Sequence, residues 1–140
     1  MGGLLTRMVE MAAARGVARP SGTWGSVLVV EDDEDIRESL RDLLESEGYA
    51  VSTAANGQEA LARLTAPERP CLILLDMMMP VMSGAEFLTV LREDQALAPI
   101  PVIVVSAWPK EAAKSGADIQ GFVQKPVDLD RLLGFIRQYC

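Results

Sequence analysis

The sequence has no histidine, only two cysteines, and few aromatic residues, 5% of its 140 positions. Without imidazole it lacks the usual general base near neutral pH and the commonest metal ligand. Cys71 and Cys140 stand far apart and lack the paired spacing of a zinc site. Cys71 leads into an apolar run and reads as a small core residue, and a reducing cytosol is the expected compartment. Basic residues are also short: 13 Lys and Arg against 20 Asp and Glu leave a net charge of −7. With no basic stripe to neutralise phosphates, the charge argues against binding to nucleic acid or to anionic lipid. No apolar run reaches the roughly 18 residues of a membrane span, and the first 25 residues lack the continuous apolar core of a signal peptide. What remains is ordinary for one soluble domain with a sizeable core, at 49% apolar and 24% charged residues.

The most informative stretch is Leu72-Ile73-Leu74-Leu75-Asp76-Met77-Met78-Met79-Pro80. Its apolar part has the length of a strand buried on both faces. Pro80 cannot continue a hydrogen-bonded ladder, so the strand ends near Asp76, at its carboxyl end. In an open α/β sheet ligands bind at that edge. A lone Asp there is as readily a turn or helix-capping residue, so its meaning depends on the rest of the chain.

Residues 1–25 form a segment apart. Leu4, Leu5, Met8, Met11 and Ala12 suit one face of a short helix, but Gly16, Pro20, Gly22 and Gly25 break its continuation. We expect a weakly ordered arm; a partner-binding helix, or an extension upstream of a natural start at Met8 or Met11, are the alternatives. From Ser26 strand and helix patterns alternate. Val27–Val30 is a strand ending in Glu31-Asp32-Asp33, followed by a helix with Ile36, Leu40, Leu43 and Leu44 on one stripe, closed by Gly48. A strand over Tyr49–Ala54 precedes a helix over Gln58–Leu64 capped by Asn56. After the strand to Asp76, Ser83 and Glu86 make a capping box for a helix carrying Phe87, Leu88 and Leu91. The fourth strand, Val102–Val105, ends at Ser106, and Pro109 starts a short helical stretch over Lys110–Ser115. The fifth, Gly121–Gln124, ends at Lys125-Pro126; Asp128 caps a last helix with Leu129, Leu132, Leu133 and Ile136 inward. Five such alternations predict a parallel sheet with helices on both faces, an α/β three-layer sandwich.

In a parallel sheet every strand's carboxyl end lies on one edge. That edge gathers Glu31, Asp32, Asp76, Ser106 and Lys125. Each has a bland reading alone: a solvated helix start, a turn serine, a surface lysine. Together they suit phosphoryl transfer. Clustered carboxylates repel one another unless a hard cation such as Mg²⁺ relieves the strain. Asp76 is then a carboxylate nucleophile for phosphorus, with Lys125 and Ser106 offsetting charge on the phosphoryl oxygens.

From Val27 to about Tyr139 the chain resembles the receiver domain of two-component response regulators. The resemblance is carried by Val-Val-Glu-Asp-Asp at 29–33, Leu-Asp-Met-Met-Met-Pro at 75–80 with Ser83-Gly84, Val-Ser-Ala at 105–107, and Lys125-Pro126. It implies a flavodoxin-like fold with strand order 2-1-3-4-5 over residues 26–140. Asp76 becomes the phospho-acceptor, with Glu31, Asp32, Asp76 and the Met78 main-chain carbonyl around Mg²⁺. Ser106 and Lys125 bind the phosphoryl group, and Phe122 matches an aromatic whose rotamer follows phosphorylation. The implied donor is a sensor histidine kinase or histidine phosphotransfer protein, and the implied output is contact with another protein in the cytoplasm. Asp33 is expected to be only a helix-start residue. Little chain separates Ser106 from Lys125, so the helix between strands four and five should be short. Met78 and Trp108 flank the approach of water to the acceptor, which implies slow self-dephosphorylation.

The chain ends with its last helix, so a stand-alone receiver rather than an enzyme is expected. The rival reading is an adaptor of the same fold that works without phosphorylation. An aspartyl-phosphate phosphohydrolase would need a second Asp two residues after the nucleophile, where Met78 stands.

Overall fold

In the computed structural model the described residues are 26–66, 68–107 and 119–140. The arm expected over residues 1–25, the helical stretch after Pro109, and Trp108 lie outside them. Five strands, β1 (Ser26–Val30), β2 (Ala50–Ala54), β3 (Pro70–Leu75), β4 (Val102–Ser106) and β5 (Gly121–Gln124), form one sheet. The strand order is β2-β1-β3-β4-β5 and all neighbours are parallel. The described helices are α1 (Glu34–Ser46), α2 (Gly57–Arg63), α3 (Gly84–Glu93) and α4 (Leu129–Tyr139).

The central strand β3 is buried along its whole length, as a strand covered on both faces must be. Alternate residues serve the two faces. Ile73 and Leu75 pack with Leu28 and Val30 against Ala60 of α2 and Phe87, Leu88 and Leu91 of α3. Leu72 and Leu74 pack with Val27 and Val29 against Leu40 and Leu44 of α1 and Leu132, Leu133 and Ile136 of α4. Each helix start is closed by a side chain: Asp33, Asn56 and Asp128 accept from the main-chain N–H groups of Ile36, Glu59 and Arg131. Ser83 and Glu86 form the expected reciprocal capping box. Gly48, at φ 95°, supplies the left-handed turn that ends α1.

Two expectations need correction. Leu129 belongs to the inward stripe of α4 by spacing but is 46% exposed. Periodicity sets the direction of a side chain, not whether anything lies under it at the first helical position. Cys71 is a buried core residue, as expected, yet it is also joined to Cys140 by a disulfide. The end of α4 folds back onto the start of β3, bringing the two Cα atoms to 5.4 Å across 69 residues of chain. The inference of a reducing compartment from unpaired cysteines loses its premise.

Candidate functional site

The chain leaves β1 for β2 on one side and reaches β3 on the other, so a crevice opens at the carboxyl ends of β1 and β3. The main chain holds its rim in place. Ladder-type bonds continue past the strand ends: Glu31 N–H donates to Ala54 O (3.0 Å), Asp76 N–H to Val30 O (3.0 Å) and Lys125 N–H to Ser106 O (2.9 Å). The three residues therefore inherit the rigidity of the sheet.

Three carboxylates meet there. One oxygen each of Glu31, Asp32 and Asp76 lies within 4.8 Å of the others; Glu31 and Asp76 are buried and Asp32 is exposed. Lys125 crosses from the β5 end, its Nζ 2.6 Å from Glu31 Oε1 and 3.7 Å from Asp76 Oδ2. Ser106 is buried at the end of β4. Asp76 Oδ1 accepts from Met78 N–H at 3.2 Å, which turns the chain over the carboxylate, and the Met78 side chain projects 59% exposed at the mouth. Phe122 is half-buried on β5, and its carbonyl accepts from Arg131 Nε. Asp33 points away to cap α1, as expected.

Electrostatics follow from this crowding. Burial, followed by the neighbouring Asp76 carboxyl, raises the Glu31 pKa to about 8, even though Lys125 pulls it down. Burial pulls the Lys125 ammonium down, but the hydrogen bond and charge of Glu31, aided by Asp76 and Asp32, carry it above its ordinary value. Because the folded protein holds the Glu31 proton more tightly than the unfolded chain, this contribution to stability is complete below pH 4.5. It is lost as pH rises through about 8. In EDTA, the stability of the wild type relative to Glu31→Gln, from urea midpoints, should therefore fall between pH 5 and pH 8.

Three features were not read from the sequence. Arg37, one turn into α1, donates through Nη1 to Glu31 O at 2.9 Å and to Asp32 O at 3.4 Å, tying down the acidic loop. Its charge in an acidic segment was the only signal. Gly84 is packed so closely that a Cβ there would lie 2.6 Å from Asp76 O and from Met77 Cα. The start of α3 approaches the main chain that follows β3 at a distance that only glycine allows. Val81, in the loop between them, holds a left-handed φ of 68°, a strained state for a β-branched residue and one that clusters at functional loops.

The fold and its crevice define a doubly wound α/β domain with an acidic pocket and a partly buried lysine. The response regulator receiver domain model matches residues 27–137. The chain is 37% identical over 118 residues to the polar-differentiation response regulator DivK of Brucella anthropi, covering 81% of this chain and 94% of DivK. It is 39% identical to an uncharacterised 14.6 kDa protein of Leptolyngbya boryana, over 81% and 88% of the two chains. A receiver protein from Pseudomonas putida superposes with a TM-score of 0.77 at 31% identity, covering 84% of this chain and 98% of that one. TrrA of Thermotoga maritima, solved with Mg²⁺–BeF, gives 0.74 at 30% identity over 83% and 99%. The chain belongs to the response regulator receiver family, whose members are signalling phospho-acceptors of two-component systems rather than conventional enzymes. Among the described residues no helix is long and apolar enough to cross a membrane.

Proposed function

We propose that the protein is a cytoplasmic receiver that accepts a phosphoryl group on Asp76 from a sensor histidine kinase or histidine phosphotransfer protein. The observation that carries this reading is the set of three carboxylate oxygens within 4.8 Å, with the Lys125 ammonium 3.7 Å from Asp76. A carboxylate oxygen of Asp76 attacks phosphorus in line; the bond to the donor nitrogen breaks and its electron pair stays with the donor imidazole. Lys125 and the Ser106 hydroxyl bind the phosphoryl oxygens, and Phe122 follows the change at Ser106 to present a new surface to a downstream protein. The test is intact mass after incubation with Mg²⁺ and a small phosphodonor. One added phosphoryl group supports the switch, and none supports the phosphorylation-independent adaptor.

The three carboxylates offer only hard oxygen donors, which fits Mg²⁺; Glu31, Asp32 and Asp76 would hold it, with the Met78 carbonyl as the further ligand the family resemblance implies. The ion when bound supplies positive charge against phosphoryl and carboxylate oxygens. Since it binds only the folded pocket, Mg²⁺ at about 100 times its dissociation constant should add about 2.7 kcal/mol of stability. The melting midpoint of the wild type should rise accordingly and that of Asp32→Ala should hardly move. Equal shifts would place the ion elsewhere.

The switch should also stay on for long. Hydrolysis needs a water in line with phosphorus, and neither Met78 nor Trp108 carries a group to orient one. Decay of the phosphorylated wild type should be slow and should quicken several-fold in Met78→Asn or Trp108→Glu. Unchanged decay in both would show that these side chains do not gate water.

A further inference from the structure

The disulfide joins two elements that already meet elsewhere. Asp76 follows the carboxyl end of β3, and Lys125 stands just before α4; the two side chains face each other at 3.7 Å. At the opposite ends of the same two elements stand Cys71, second residue of β3, and Cys140, which follows α4. Strand, ion pair, helix and disulfide thus close a ring, with the acceptor pocket at one end and the sulfur bridge at the other. Along its length Leu132, Leu133 and Ile136 of α4 pack on Leu72 and Leu74 of β3.

We propose that Cys71–Cys140 is a thiol–disulfide exchange site, opened by a dithiol reductant, which frees the end of α4 from β3. The argument rests in part on the receiver reading above. A receiver works where kinases meet ATP, and disulfides in that compartment are usually transient and redox-responsive rather than permanent. The two sulfurs also differ in access. Cys71 is 2% exposed, whereas Cys140 is half-exposed at the helix end. The reductant's thiolate therefore attacks Cys140 Sγ, the sulfur–sulfur bond breaks, and the electron pair leaves with Cys71. Cys71 Sγ takes a proton. The Ser26 carbonyl oxygen, 3.2 Å away, is placed to accept the new S–H bond, so the reduced state is not left with an orphaned buried thiol. The second thiol of the reductant then attacks the mixed disulfide and releases Cys140, which takes the second proton. Two electrons pass to the protein, and the dithiol leaves as its own disulfide.

The test uses the whole native protein, equilibrated in glutathione buffers from fully oxidised to fully reduced and in excess dithiothreitol. Samples are quenched in acid, then denatured, alkylated and weighed. Two thiols should appear together without denaturant during equilibration, and should pair again when the buffer is reversed. Reduction should lower the melting midpoint by about 10 °C, since a long loop is no longer closed in the unfolded chain. Cys140→Ser should melt with the reduced wild type and ignore reductant, and amide protection in α4 should fall in both. A bridge that survives dithiothreitol until denaturant is added would be a permanent staple and would overturn the proposal. Thiols that stay free in oxidised glutathione would overturn it equally. Phosphorylation of the oxidised protein by a small phosphodonor tests the receiver reading separately. Exchange without phosphorylation would cost only that reading, and phosphorylation without exchange would cost only the thiol site.

Discussion

Asp76→Asn should give a folded protein that takes up no phosphoryl group, under conditions where the wild type gains one by intact mass. The asparagine amide keeps the size of the side chain and can accept the Met78 N–H bond that Asp76 Oδ1 accepts at 3.2 Å. What it lacks is a carboxylate oxygen with an electron pair for phosphorus. Stability should not suffer. Asp76 raises the Glu31 pKa by hydrogen bond and by charge, so removing its charge relieves a repulsion between two buried groups. In EDTA at pH 8 the variant should unfold at the same urea concentration as the wild type or higher. It should also lose most of the stabilisation by Mg²⁺. Uptake of a phosphoryl group by the variant would place the acceptor elsewhere.

The parts of this pocket that could be read from the sequence are those set by local chemistry. A β-branched or leucine-rich run that stops at Asp76 before a proline can be read without knowing its neighbours, and so can the Ser83–Glu86 box. Because each strand was placed with its carboxyl-end residue, the common edge followed from parallel pairing alone, and Glu31, Asp32, Asp76, Ser106 and Lys125 all lie there. Contacts between residues far apart in the chain were not legible. Nothing in the spacing says that Lys125 sits closer to Glu31 than to Asp76. The cysteines show the same limit: whether α4 ends over β3 depends on the crossing of helix and sheet, which a linear pattern does not encode.

Lys125→Met should slow phosphorylation of Asp76 by about 100-fold while costing little stability, a split that follows from what its ammonium touches. Methionine keeps the unbranched apolar stem and removes only the charge. Breaking a buried ion pair ordinarily costs about 3–5 kcal/mol, because the partner is left as an uncompensated charge. Here the partner has an escape. Glu31 already titrates at about 8, and Lys125 is among the influences that lower it, so without the lysine Glu31 keeps its proton at neutral pH. A neutral carboxyl is left in place of a stranded anion, and the urea midpoint should move only slightly. No such escape exists during transfer. Negative charge grows on the phosphoryl oxygens beside Asp76, and the ammonium that stood 3.7 Å from Oδ2 is gone. Loss of one preorganised donor to developing charge typically costs about 10²–10³ in rate. Phosphorylation rates with a small phosphodonor at saturating Mg²⁺, read beside urea midpoints of the same samples, separate the two effects. A rate within a few-fold of the wild type would mean that Lys125 serves only to hold Glu31, and that the phosphoryl oxygens find their counter-charge elsewhere.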